Sequence, residues 1–191
     1  MNLSNVNLPN ALTLSRIILI PIFVIFFYLP VSWHYTAACM IFILAAITDG
    51  LDGYYARKLG QTSALGAFLD PVADKLMIAV ILVMLVEDAK DAYSIWLALP
   101  AAVIIGREIT ISALREWMAE LGESNKVAVS GYGKLKTICQ MVALGFLVYH
   151  NALFGIPIYS IGIVLLYIAS ILTLWSMFLY LQAAWPQLMD S

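Results

Sequence analysis

The chain is poor in charge. Only 12% of its 191 residues are Asp, Glu, Lys or Arg, against about one quarter in an ordinary soluble domain. With 63% hydrophobic residues and a mean hydropathy of +0.92, it has too little polar surface to coat a water-soluble fold. Cysteine is nearly absent too. Cys39 and Cys139 both lie in apolar runs, which reads as packing and argues against a disulfide scaffold. "MNLSNVNLPN" lacks the basic start of a secretion signal, and the following apolar run passes signal length without a small-residue cleavage pattern. Residues 1 to 10 therefore read as a short interfacial segment. Repeats, low-complexity tracts and linkers are missing, so residues 1–191 read as a single membrane-embedded domain. The net charge of −2 carries no signal for a partner, and no nucleic acid is expected.

Six apolar runs fill the chain: about Leu12–Leu29, Tyr35–Tyr55, Leu65–Val86, Tyr93–Met118, Tyr132–Tyr149 and Phe154–Ala184. A bilayer crossing needs roughly 20 such residues. The expected fold class is an all-α integral membrane protein with six transmembrane helices. Trp33, Trp96, Trp117 and Trp185 near run ends read as aromatic belts, and His34 and His150 as interfacial residues. Lys and Arg set the orientation. Arg57, Lys58 and Lys75 surround the second turn, and Arg115, Lys126, Lys134 and Lys136 the fourth. The other side offers only Lys90 in "EDAKDAY" and no cation in "HNALFGIPI". The basic side, with both termini, should be cytoplasmic.

Against this background, "TDGLDGYYARKLGQTSALGAFLDPVADK" (48–75) stands out for four aspartates at the ends of two apolar runs. Asp49 and Asp52 are three apart on the second span, while Gly66, Asp70 and Asp74 form a row of four-residue steps on the third. Residues at these spacings share a helix face. A short turn makes the two spans antiparallel neighbours, so their cytoplasmic ends can gather four carboxylates. Two carboxylates about 4 Å apart repel by roughly 4 kcal/mol at an effective dielectric of 20. Divalent cations relieve that repulsion, and oxygen ligands suit Mg²⁺ or Mn²⁺. Paired ions are suited to phosphoryl transfer. Gly53, Ala56 and Gly66 allow close approach of helix or base, and Arg57 offers a fork for phosphate. Pro71 is tolerable if the third span starts near Ala67.

Other readings exist for several residues. Intramembrane acids also mark ion or proton transport, although the Gly and Arg positions and a cytoplasmic location favour a site open to soluble substrate. Arg16 reads either as a snorkelling side chain or as a binding residue. Glu108 reads as a partner for a nearby Arg. "GYGK" at 131–134 lacks the spacing of a phosphate loop.

The run D49-G-L-D52-G53-Y-Y-A56-R57, eight residues, then G66-A-F-L-D70-P-V-A-D74 resembles the CDP-alcohol phosphotransferase signature DxxDGxxAR-x8-GxxxDxxxD at every fixed position. "NLPNALTLSRIILIP", "FLDPVADK", "REITISALREWM" and "GKLKT" extend the resemblance over nearly the whole chain, to bacterial members of the family. The resemblance implies a CDP-alcohol phosphotransferase fold in the bacterial cytoplasmic membrane, with the active site facing the cytoplasm. It implies two divalent cations, Mg²⁺ or Mn²⁺, held by Asp49, Asp52, Asp70 and Asp74, with Asp74 also the general base. It implies that Gly53, Ala56, Arg57, Ser63 and Gly66 contact CDP-diacylglycerol, and that Asn10 and Thr13 line the same pocket. A homodimer among membrane lipids is the implied assembly.

The acceptor needs a second clue. Arg107 and Arg115 lie eight apart on the fourth span, and Lys134 and Lys136 open the fifth. Pairing with Glu108 and Glu116 accounts for two of these cations, and the remainder suits a phosphate. Together with the resemblance, this favours sn-glycerol 3-phosphate over inositol phosphate or serine.

Overall fold

The computed structural model describes residues 8–59, 64–89, 92–122 and 131–189. Among these residues are six helices: α1 (Leu8–Phe27), α2 (His34–Leu59), α3 (Ala64–Asp88), α4 (Ala92–Glu120), α5 (Gly131–Tyr149) and α6 (Ile158–Met189). Hydrocarbon offers no partner for a backbone amide, so a spanning segment must bond internally, and long apolar runs become helices. Among the described residues four segments are long and apolar enough to cross a membrane: Asn10–Phe27, His34–Leu51, Ser94–Glu120 and Ile158–Pro186. The apolar part of α5, Leu135–Tyr149, is shorter. The 25 residues of α3 include Asp70, Asp74, Lys75, Glu87 and Asp88, so its apolar stretch is interrupted near both ends. The chain is an all-helical membrane protein, with no strand among the described residues beyond one isolated bridge.

Two boundaries differ from the sequence expectation. The last helix begins at Ile158, not Phe154, because a tight turn precedes it. Phe154 and Gly155 both adopt positive φ (51° and 78°), and Leu153 and Ile156 exchange hydrogen bonds at 3.1 and 2.9 Å. That is a two-residue hairpin loop with both central residues left-handed, natural for Gly155 and strained for Phe154. Pro71 is the other case. Since α3 starts at Ala64, Pro71 lies inside the helix rather than in its first turn. Its missing amide leaves the carbonyl four residues earlier without the usual donor.

The helices fall into two compact units. The first comprises the chain up to Ile81 together with 148–151. Here α1 packs along α2, burying Phe23 and Phe27 with Ala38, Cys39, Phe42 and Ala45. The small residues on α2 let the helix backbones approach. At one end Tyr35 stacks on His150 (4.7 Å between centroids) and lies 3.8 Å from the His34 ring, whose Nδ1 is 2.7 Å from the Phe27 carbonyl.

The second unit comprises Leu82–Leu147 and the chain from Ala152 onward. Its α4 and α6 meet around Ile111, Leu114, Met118, Tyr180 and Ala184. Trp117 packs against this cluster and so departs from the expected belt, whereas Trp96 and Trp185 are exposed. Where α5 meets α6, a Cβ on Gly162 would lie 3.0 Å from Leu147 Cγ, so only glycine fits without movement. Cys39 and Cys139 are both free thiols.

Candidate active site

On α1, Asn10, Thr13 and Arg16 recur every three residues and are all buried. Three-residue steps keep them on one helix face. Arg16 does not snorkel: it is 2% exposed, and its Nη1 contacts Asp49 Oδ1 at 2.7 Å and Asp70 Oδ1 at 3.3 Å. One guanidinium nitrogen thus draws together the first acid of α2 and the first acid of α3. The two oxygens can be no farther apart than the sum of those contacts, 6.0 Å. Both carboxylates stay about half exposed, at 46% and 50%, so each keeps an open side.

The remaining motif residues divide by position. Asp74 is exposed one turn beyond Asp70, and Gly66 is half-buried one turn before it. Asp52, Gly53, Ala56 and Arg57 belong to α2, but their side chains lie outside the described set, and Ser63 lies outside the described residues. Of the four acids expected to cluster, the described side chains bring together Asp49 and Asp70, the pair that Arg16 contacts. Among the described side chains no three acid, His or Cys groups close into a metal cage.

The donor chemistry nevertheless fits a divalent ion. Carboxylate oxygens are the ligands that Mg²⁺ and Mn²⁺ prefer. Two oxygens facing each other across Mg²⁺ are about 4.2 Å apart, within the 6.0 Å limit set by Arg16. A positive charge already sits between these carboxylates in the form of a guanidinium.

A second polar cluster lies within the other unit. Arg107, 8% exposed, donates from Nη1 to Glu108 Oε1 (2.9 Å) and from Nη2 to Ser176 Oγ (3.4 Å). Lys136 Nζ donates to the same Glu108 oxygen at 2.8 Å. Glu108 is thus the ion-pair partner anticipated from sequence, for two cations at once. Arg115 Nη2 donates to the Tyr180 hydroxyl at 3.2 Å. Arg107 and Lys136 thus share one carboxylate, and Arg115 is held through Tyr180 instead. In both arginines the Nε is buried with no acceptor among the described residues, a condition that costs about 1–3 kcal/mol per group unless something fills it. Lys134 is in the first turn of α5, with its side chain outside the described set.

Sequence reasoning passed over Ser176 and Tyr180. Their signal is a polar row on α6, in "TLWSMFLY", where Thr173, Ser176 and Tyr180 follow at three- and four-residue steps through an apolar run. It also left Arg16 between two readings, although Asn10, Thr13 and Arg16 share one face of an otherwise apolar helix.

Comparison with known proteins places the chain in a family. A family model described as CDP-alcohol phosphatidyltransferase matches residues 6–175, a span that takes in every candidate residue from Asn10 to Lys136. A protein of Shigella flexneri serotype 5b (strain 8401), named CDP-diacylglycerol–glycerol-3-phosphate 3-phosphatidyltransferase, is 53% identical over 184 residues. The match covers 96% of this chain and 98% of the relative. A protein of the same name from Escherichia coli (strain K12) matches with the same identity and coverage.

Proposed function

This chain belongs to the CDP-alcohol phosphatidyltransferase family, and from that premise we propose that it transfers the phosphatidyl group of CDP-diacylglycerol to sn-glycerol 3-phosphate. The products are phosphatidylglycerophosphate and CMP, which makes the enzyme a step in phospholipid biosynthesis. The observation that carries the reading is the meeting of Asp49 and Asp70 on one buried guanidinium, since it joins the two halves of the aspartate motif in space. The near full-length identity to proteins named for this activity supports the choice of acceptor. One membrane-embedded domain over residues 1–191 is part of the proposal, supported by a family match that runs through both compact units.

In the reaction, the acceptor hydroxyl oxygen bonds to the β-phosphorus, the bond from that phosphorus to the CMP oxygen breaks, and the hydroxyl proton passes to Asp74. Asp74 is exposed and one turn from Asp70, where a soluble substrate can reach it. Two divalent ions, Mg²⁺ or Mn²⁺, would be held by Asp49, Asp52, Asp70 and Asp74, and when bound supply positive charge to the pyrophosphate and the departing CMP. Arg16 fixes the spacing of Asp49 and Asp70. Gly53, Ala56, Arg57, Ser63 and Gly66, with Asn10 and Thr13, are assigned to CDP-diacylglycerol. Arg107, Arg115, Lys134 and Lys136 are assigned to the acceptor phosphate, supported by the sharing of the Glu108 carboxylate between Arg107 and Lys136. The bias of Lys and Arg supports a site on the cytoplasmic face of a bacterial inner membrane, where the enzyme works as a homodimer among lipids.

The test is CMP release by the purified protein in detergent micelles, with CDP-diacylglycerol and a panel of sn-glycerol 3-phosphate, inositol phosphate and serine. CMP should appear in step with a new lipid only with glycerol phosphate, vanish in EDTA, and return with Mg²⁺ or Mn²⁺. A preference for serine would overturn the acceptor. No chemistry in micelles, with ion-driven uptake in liposomes, would overturn the enzyme.

A further inference from the structure

We propose that Tyr180 is the positioning residue of the acceptor site, fixing the two arginines in place for the phosphate of glycerol 3-phosphate. The proposal rests on the assignment of Arg107 and Arg115 to that phosphate. Tyr180 is itself immobilised: it is 6% exposed, in a cluster with Ile111, Leu114, Met118 and Ala184 from α4 and α6. Both guanidiniums lie over its ring, Arg115 at 5.2 Å and Arg107 at 5.8 Å from the centroid. A ring face attracts a cation without consuming any of its N–H donors. The hydroxyl then takes one donor of Arg115, its Nη2. Arg107 is tied at both Nη atoms, by Glu108 and Ser176.

What these ties leave is the informative part. The Nε of each arginine is buried and has no acceptor among the described residues. Two like charges are gathered over one aromatic ring, and Glu108, bonded to Arg107 and Lys136, is the carboxylate recorded in the cluster. Gathering two guanidiniums over one ring concentrates positive charge beyond what packing requires. An oxyanion balances that charge, because a phosphate accepts from several planar donors at once. Tyr180 touches neither substrate in this scheme. It acts through Arg115 first and Arg107 second.

The experiment uses the full-length protein in detergent, with KM measured separately for the two substrates. Tyr180→Phe keeps the ring and removes the hydroxyl. It should raise the KM for sn-glycerol 3-phosphate about threefold to tenfold, the worth of one net hydrogen bond. The KM for CDP-diacylglycerol and kcat should stay within about twofold, inside the same hydrogen-bond scale. Tyr180→Leu also removes the ring face and should raise the acceptor KM further, and inhibition by inorganic phosphate should weaken in parallel. In an Arg115→Ala background, Tyr180→Phe should have no additional effect, since its route is gone.

The outcomes separate cleanly. If Arg115→Ala leaves the acceptor KM unchanged, the assignment of the arginines fails, and this proposal with it. If Arg115→Ala raises that KM but Tyr180→Phe does not, only the role of Tyr180 is overturned. A Tyr180→Phe variant that loses thermal stability and kcat while both KM values hold would reduce Tyr180 to a packing residue.

Discussion

Replacing Arg16 by methionine keeps a buried, unbranched stem and removes the charge that Asp49 and Asp70 share. Left behind are two carboxylates at most 6.0 Å apart. At that separation their repulsion is about 3 kcal/mol at an effective dielectric of 20 and about 0.7 kcal/mol in bulk water. Their half-exposed side chains place them between the limits. For a chain of this size, each kcal/mol moves the unfolding midpoint by about 2–4 °C. In EDTA the variant should therefore melt about 2 to 10 °C below wild type. The proposed Mg²⁺ would restore positive charge between the same carboxylates, so with excess Mg²⁺ the deficit should shrink to a small fraction of that value. Thermal unfolding in detergent, followed by the fluorescence of the five tryptophans, measures both numbers. An equal deficit with and without Mg²⁺ would mean that Arg16 is ordinary packing, and no deficit in EDTA would mean that the ion pair is not formed in solution.

Asp70→Asn should abolish CMP release while the protein stays folded, because it removes a carboxylate from both the guanidinium and the proposed metal set. Asp74→Asn should lower kcat by about 10² to 10⁴, the usual contribution of a general base, with metal content measured on the same sample; retained metal with near-normal kcat would clear Asp74 of that role. Phe154→Asn should raise the midpoint by a few degrees, since Phe154 is 95% exposed at φ 51° and releasing such backbone strain is worth on the order of 1 kcal/mol. An unchanged midpoint would show that the hairpin turn stores no strain.

Much of this was readable in the chain before any coordinates. Apolar runs announce helices because hydrocarbon enforces internal hydrogen bonding, and all six appear where the runs do. Their ends were harder. The start of α6 depends on a left-handed Phe154, which side-chain chemistry disfavours and local sequence therefore hides. Pro71 invited a later start for α3 than the one adopted, since local propensity disfavours a residue without an amide inside a helix. The aspartate motif was legible as spacing, because a helix face is a matter of counting. Arg16 was not, since its partners lie 33 and 54 residues away on two other helices. Glu108 was legible as a partner of Arg107 because the two are adjacent in sequence. Tyr180 was not, because an aromatic in an apolar helix looks like every other core residue until a cation is found against it.

The pairing of Arg16 with Asp49 and Asp70 also bears on how the chain enters its membrane. Placing an aspartate in a spanning helix costs about 2.5 to 3.5 kcal/mol at the bilayer centre and less toward the ends, where these acids lie, and α3 carries Asp70, Asp74 and Lys75 in its first half. Synthesis delivers α1 first, with its buried cation already on the correct face. When α2 and then α3 follow, Asp49 and Asp70 meet a waiting counter-charge instead of bare lipid. Chain order thus becomes part of the design: a permuted chain that delivered α1 last would expose both acids to the bilayer before their cation arrived. The residues that assemble the reaction centre would then be the ones that stall its insertion.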